Sequence, residues 1–212
     1  MASNCLSFNN SQEQAYELAY NLAREQLASM GVEELCHKAG AQCVDSNKII
    51  IEYLNRPYLV TLSHGEITLR DSEEQVPLKD KILILHYLVS ARGTPSTNKL
   101  ITYKQLPGGA SYFPAFYQRA IKPVLNHFGR KPELLMATAA KLGGHKASYA
   151  DVSVTINAFP RVPVTIGLWR GDDEVPPGGS IIFDSNISDY LSSEDVTVLC
   201  ETIAWRLIKN SG

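Results

Sequence analysis

The chain has 212 residues, 44% of them hydrophobic, with 20 basic and 22 acidic side chains for a formal net charge of -2. That length supports one well-filled core, and the balanced charge, with no Lys/Arg block, argues against nucleic acid as a partner. The longest apolar run, residues 82–89 interrupted by His86, is far too short to cross a bilayer, so no membrane association is expected.

The opening MASNCLSFNN lacks the basic-then-apolar layout of a secretory leader, and the expected compartment is the cytoplasm. Cys5, Cys36, Cys43 and Cys200 are then expected as reduced thiols rather than a disulfide framework. Cys36 and Cys43, with His37 beside the first, fit no common zinc or iron-sulfur spacing and read as small apolar side chains.

Residues 11–30 favour a helix, with Ser11 as cap, Gln14 three positions on, and Ala15, Leu18 and Leu22 as one apolar stripe. A short second helix over 32–38 follows. Residues 48–54, 57–63 and 66–70 predict an antiparallel meander turning at Asn55-Arg56 and at His64-Gly65, with Ile49, Ile51 and Tyr53 on one face. Pro77 opens a helix running to about Arg92, and the run Ile82, Leu83, Ile84, Leu85, Tyr87, Leu88, Val89 leaves it almost no polar face. This is the expected central helix, with His86 as a hydrogen-bonded core histidine.

Residues 93–100 (GTPSTNKL) form a polar loop expected to be mobile. After LPGGAS a helix capped by Ser111 is predicted as far as Phe128, kinked or divided at Pro123, which lacks a donor and crowds the preceding turn. Another helix spans 131–142. Residues 151–157, 162–169 and 180–183 read as strands, and between the last two the loop 170–179 is stiffened by Pro176 and Pro177. A short turn or helix at 186–190 precedes a capping box at Ser192 and Asp195, with Leu191 and Val196 at the staple positions. The final helix, 193–209, carries Val196, Leu199, Cys200, Ile203, Ala204 and Leu207 at helical spacing. The fold class is α+β: an antiparallel sheet, built from the meander and the C-terminal hairpin strands, covered by several helices. One domain is expected over residues 1–212, with an ordered core at 10–209.

No local motif for nucleophilic, phosphate-binding or zinc chemistry is present. The glycines of LPGGAS lack the lysine and hydroxyl residue of a phosphate loop and read as a turn and cap. Two groups remain. The carboxylates Asp172, Asp173, Glu174 and Asp184 could gather in a cleft beside Trp169 for acid/base work, against the plainer reading of a solvated loop tip. The aromatics Tyr112, Phe116 and Trp169 could line a pocket for an apolar or tetrapyrrole-like ligand, if they are not simply core.

LPGGASYFPAFYQRAIKPV together with FPRVPVTIGLWRGDDEVPPGGSIIFDSNISDYLSSEDVTVL resembles an uncharacterised prokaryotic family, a domain of unknown function. Its members occur alone or fused to the four-cysteine iron-sulfur module of corrinoid proteins, mostly in anaerobes. The resemblance covers roughly residues 10–209 and transfers no activity. It implies a non-catalytic accessory or binding domain serving iron-sulfur or corrinoid one-carbon redox proteins. This chain lacks the fused four-cysteine module, so any cluster would belong to a partner.

Overall fold

The computed structural model describes residues 3–211. In chain order the elements are α1 (Ser3–Ala28), α2 (Val32–Ala39), β1 (Gln42–Cys43), β2 (Lys48–Tyr53), β3 (Arg56–Thr61), β4 (Glu66–Leu69), α3 (Leu78–Ser90), β5 (Leu100–Thr102), α4 (Gly109–Phe116), α5 (Lys122–Phe128), α6 (Leu134–Ala140), β6 (His145–Lys146), β7 (Val152–Phe159), β8 (Val162–Trp169), β9 (Gly178–Asp184) and α7 (Ser193–Lys209). The fold is α+β, as the patterning predicts. The meander and the C-terminal strands do not share one sheet, however. Among the described residues they form a four-stranded sheet, β1-β2-β3-β4, and a five-stranded sheet, β5-β9-β8-β7-β6, both antiparallel.

An aromatic seam joins the two. Tyr53 of β2 stacks on Phe159 of β7 with centroids 4.8 Å apart, Phe159 on Tyr87 of α3 at 4.2 Å, and Tyr87 on Tyr190 at 5.8 Å. Offset stacking of this kind adds about 0.5–1.5 kcal/mol per pair beyond the area buried. The backbone N–H of Leu54 also donates to the Ala158 carbonyl at 3.0 Å, and one hydrophobic core runs through both sheets.

Helix α3 is central, as expected. Leu83, Ile84, Leu85, Tyr87 and Leu88 are at most 1% exposed, and each such burial stabilises the fold by about 1.5–3 kcal/mol before side-chain entropy is subtracted. It packs against α1, α2 and α7. His86 turns to the side of the helix where Asp195 lies, its Nδ1 2.6 Å from Asp195 Oδ1.

Several expectations are corrected. Helix α1 begins at Ser3, so Ser11 lies inside it and does not cap it. Leu18 and Leu22 are exposed and the packed face carries Ala23 and Leu27, because α1 lies against α3 along that other side; the side chain of Ala15 lies outside the described residues. The first hairpin turns at Leu54-Asn55, one position early, with φ of 48° and 62°. Positive φ at both central residues suits the twist of the flanking strands, which outweighs the steric cost at a leucine. Helix α4 starts at Gly109, two residues before Ser111, because Gly109 lies against the Tyr103 carbonyl, where no Cβ fits.

Pro123 has the expected effect. A π-turn over Tyr117–Ile121 precedes it, so the helix is reset and the proline sits in the first turn of α5. The loop 93–99, expected to be mobile, makes a defined set of hydrogen bonds. The Asp184 carboxylate accepts from the Ser96 and Thr97 hydroxyls, from the backbone N–H groups of Thr97 and Asn98, and from its own neighbour Asn186.

Cys36 and Cys43 form a disulfide, against the expectation of free thiols. Gly40 ends α2 at φ 68° and folds the chain back into β1, which brings the two Cα atoms to 6.1 Å, a distance a disulfide spans. Cys200 is buried in the core stripe of α7, and burial pushes its thiol well up.

Candidate functional site

Helix α7 has two faces. Its capping box is complete: Asp195 N–H donates to Ser192 Oγ at 3.1 Å, and Ser192 N–H to Asp195 Oδ2 at 3.2 Å. The stripe Val196, Leu199, Cys200, Ile203, Ala204 and Leu207 is buried. Glu201, Thr202, Trp205, Arg206 and Lys209, also at helical spacing, look the other way. They form one wall of a cleft whose cavity volume is about 650 Å³. The opposite wall comes from β3 and β4 with Arg56, Tyr58 and Leu69, from the segment Glu74–Pro77, from Lys79 and Asp80 in the first turn of α3, and from Lys141 and Leu142 after α6. A ligand cavity of 300–1,000 Å³ is usual for a small molecule.

The floor is a buried ion pair. Asp80 is 4% exposed; Arg206 Nη2 donates to its Oδ2 at 2.6 Å, and Tyr53 Oη to its Oδ1 at 3.1 Å. The Arg206 guanidinium also lies 5.3 Å from the Tyr53 ring centre, a cation–π distance. Burial works to lower the Arg206 pKa, but Asp80 together with Tyr53 and Tyr58 outweighs it and the net shift is upward. Burial pushes the Tyr53 and Tyr58 phenols up, Asp80 adding to the effect at Tyr53, so both keep their protons at neutral pH. With Leu54, Leu69 and Val76 buried around them, the cleft has an apolar base with charge set into it.

Floor and rim together are cationic. Arg56, Lys79, Lys141, Arg206 and Lys209 face Glu74, Asp80 and Glu201, a surplus of two positive charges in a chain whose formal net charge is -2. Arg56 pairs with Glu74 at 2.7 Å, and Glu201 is shared between Lys79 at 3.9 Å and Arg119, which approaches from outside the cleft to 2.9 Å. Lys141 Nζ donates to the Asn210 carbonyl at 2.7 Å, and Lys209 has no ion pair among the described residues. Pro77, the residue before α3, offers no side-chain acceptor, so no side chain caps that first turn either. Trp205 stands beside these groups with 56% of its surface exposed. The arrangement can hold an anion, and it offers the anion's carrier an indole face.

The residues singled out from sequence lie elsewhere and do not converge. Asp172, Asp173 and Glu174 are exposed on the loop between β8 and β9. The Asp172 carboxylate accepts the N–H groups of Val175 and Glu174 at 2.7 and 2.9 Å, which lowers its pKa and makes it a turn-former. Asp184 is buried at the other end of β9, paired across to Leu100, whereas Trp169 pairs with Gly178 at the start of that strand. Six residues of extended chain separate them, roughly 20 Å at the usual rise. The four carboxylates therefore share no cavity. Trp169 meets Tyr149 edge-on at 5.4 Å and borders a separate hollow of about 620 Å³ with Lys146, Ser148 and Asp151. Phe116 is fully buried and stacks on Tyr103 at 4.0 Å, while Tyr112 is 63% exposed. Among the described residues Phe116 gives its ring to the core rather than to a surface shared with Tyr112 and Trp169. Among the described residues no group of three or more His, Cys, Asp or Glu side chains could hold a metal ion.

Sequence reasoning passed over the cleft residues, although one signal was there: a tryptophan and two cations on the polar side of an amphipathic helix. Residues 32–206 match the family model described as Domain of unknown function (DUF3786). The chain belongs to that family. The match starts at the first residue of α2, leaves out α1, and takes in every residue of the cleft except Lys209 and Asn210. No curated protein and no solved structure matches this DUF3786 chain. No helix among the described residues is long and apolar enough to cross a membrane.

Proposed function

We propose that this DUF3786 chain is a binding domain whose site is the cleft between β3–β4 and α7, and that its ligand is a small molecule bearing negative charge. One observation carries the reading: a formed cleft collects a surplus of two cations over a hydrogen-bonded Arg206–Asp80 pair whose acid is buried, in a chain that is acidic as a whole. Fixed charge beside apolar walls is worth more than the same charge in water, and it draws anions in. Thermal unfolding of the full chain in the presence of phosphate, sulfate and citrate tests it. An upward shift in Tm, lost in the Lys141→Glu/Lys209→Glu double variant, is expected. Identical unfolding with and without every anion refutes the reading.

A second reading, implied by the resemblance drawn from the sequence, is the accessory role toward iron-sulfur or corrinoid one-carbon proteins. Affinity purification of the chain from an anaerobic native host is expected to bring such a protein with it. Recovery of the chain without any cluster or corrinoid protein removes that role.

A further inference from the structure

The cleft supplies more than charge, and its composition narrows the ligand. We infer that the site takes a planar aromatic dianion: a flat ring carrying a phosphate monoester or a pair of carboxylates. The inference rests on the cleft being the binding site and goes on to name the chemical class it selects.

Three observations point the same way. The surplus of two cations matches a ligand of two negative charges, and a phosphate monoester at neutral pH carries about -1.5 to -2. A monoanion would leave one ammonium of the cleft uncompensated. Next, Trp205 is 56% exposed on a helix whose other large apolar side chains are buried or packed partly buried against the core. An indole left in water on the wall of a cavity offers a face on which a second ring can stack. Finally, the charges sit around that indole in the chain itself: Lys209 is one helical turn beyond Trp205 on the same face of α7, and Arg206 adjoins it. Arg206 is held by Asp80 at 2.6 Å, so its position is set before any ligand arrives, which lowers the ordering cost of binding. Ring and charge are thus offered side by side.

The test uses isothermal titration of the full chain with four probes: adenosine monophosphate (ring plus dianion), benzene-1,2-dicarboxylate (ring plus dicarboxylate), adenosine (ring alone) and inorganic phosphate (dianion alone). At least one of the two aromatic dianions is expected to bind ten or more times tighter than phosphate or adenosine, since stacking on an aromatic side chain is worth about 1–3 kcal/mol. Preference for the nucleotide assigns the phosphate ester, and preference for the dicarboxylate assigns the carboxylate pair. Trp205→Leu should reduce the tighter probe to the level of phosphate and leave phosphate itself unchanged. Lys209→Gln should weaken phosphate and the aromatic dianion alike, without touching adenosine.

The chain has two tryptophans, so in a Trp169→Phe background Trp205 is the sole indole, and its quenching by the bound ring gives a readout independent of the Trp205→Leu variant's folding. Phosphate binding as tightly as both aromatic dianions, or no quenching of Trp205 on saturation, overturns the aromatic assignment while leaving anion binding intact. Failure of all four probes in the wild-type chain overturns it as well, and the anion thermal shifts then decide the broader reading separately.

Discussion

Two buried or half-buried acids are each matched to a definite partner set. Asp184 receives five donors from the 93–99 loop and from Asn186, and although burial opposes ionisation, these bonds hold its carboxyl well below the usual range. Asp184→Asn keeps the shape but replaces an acceptor-only group by one with two donors of its own, and should cost about 2–4 kcal/mol in urea unfolding. Because the folded value is depressed, the stability Asp184 supplies is present above the ordinary Asp value and drains away only as pH falls through the folded one. The acid limb of the wild-type stability curve should therefore be steeper than that of the variant. The His86–Asp195 pair behaves differently. The hydrogen bond to Asp195 raises His86, against the opposing effect of burial. Burial works to raise Asp195 too, but His86 and the two hydrogen bonds from Ser192 together outweigh it and Asp195 is lowered. The His86 contribution is complete below the ordinary histidine value near pH 6.5 and is lost as pH rises through its raised value; the Asp195 contribution is lost as pH falls below the ordinary carboxylate range. His86→Gln should flatten the fall in stability as pH rises above the ordinary histidine value, read by denaturant titration. A pH dependence equal to wild type would mean that the pair does not titrate as a unit.

At the scale of elements, the disulfide and the α4 start are the informative joints. Strand β1 pairs with β2 at only two positions, Gln42 with Ile50 and Cys43 with Ile49. Its main fastening is therefore the bond to Cys36 on α2. Closing so short a loop stabilises by about 2–3 kcal/mol in the chain-entropy account. Cys43→Ser, at the exposed end, should lower stability by that amount under oxidising conditions and by nothing in excess reductant, as read by chemical unfolding in both. Gly109 is fixed by contact rather than by turn conformation: a Cβ there would drive into the Tyr103 carbonyl, and Tyr103 carries the ring on which Phe116 stacks. Gly109→Ala should therefore destabilise by several kcal/mol, at the upper end of single substitutions, whereas Ser111→Ala, no longer at a cap, should change unfolding by less than about 0.5 kcal/mol.

Over the whole molecule, the Asp80–Arg206 pair ties the first turn of α3 to the far end of α7 across the base of the cleft, with Tyr53 of the meander as third partner. Breaking one side leaves a buried charge, so Arg206→Met should cost about 2–4 kcal/mol, at the lower end of the usual range because the Arg206 side chain is 24% exposed. Asp80→Asn in the same chain removes the orphaned charge, retains the acceptor for Tyr53, and should recover most of that loss in a double-mutant cycle. Full additivity of the two changes would mean that they do not interact.

Read by itself, the amino-acid pattern determined the local and periodic features: the α+β class, the buried run of α3, the meander, the strand Val162–Trp169, the division at Pro123 and the capping box at Ser192. Each depends on neighbours within a few residues, and steric and hydrogen-bonding rules act at that range. Tertiary structure alone decided the rest. The pattern marks which face of a strand is apolar but not which sheet it joins, so both the split into two sheets and the Tyr53–Phe159–Tyr87 stack that joins them depend on segments far apart in the chain. The hydrogen bonds of residues 93–99 needed Asp184 from far along the chain, and the Cys36–Cys43 bond needed the turn at Gly40. The same holds for the cleft. Asp172, Asp173, Glu174 and Trp169 stand out because they are adjacent in sequence, whereas Arg56, Asp80, Lys141, Trp205, Arg206 and Lys209 converge only after four segments have packed. A site assembled through space leaves no spacing to read along the chain.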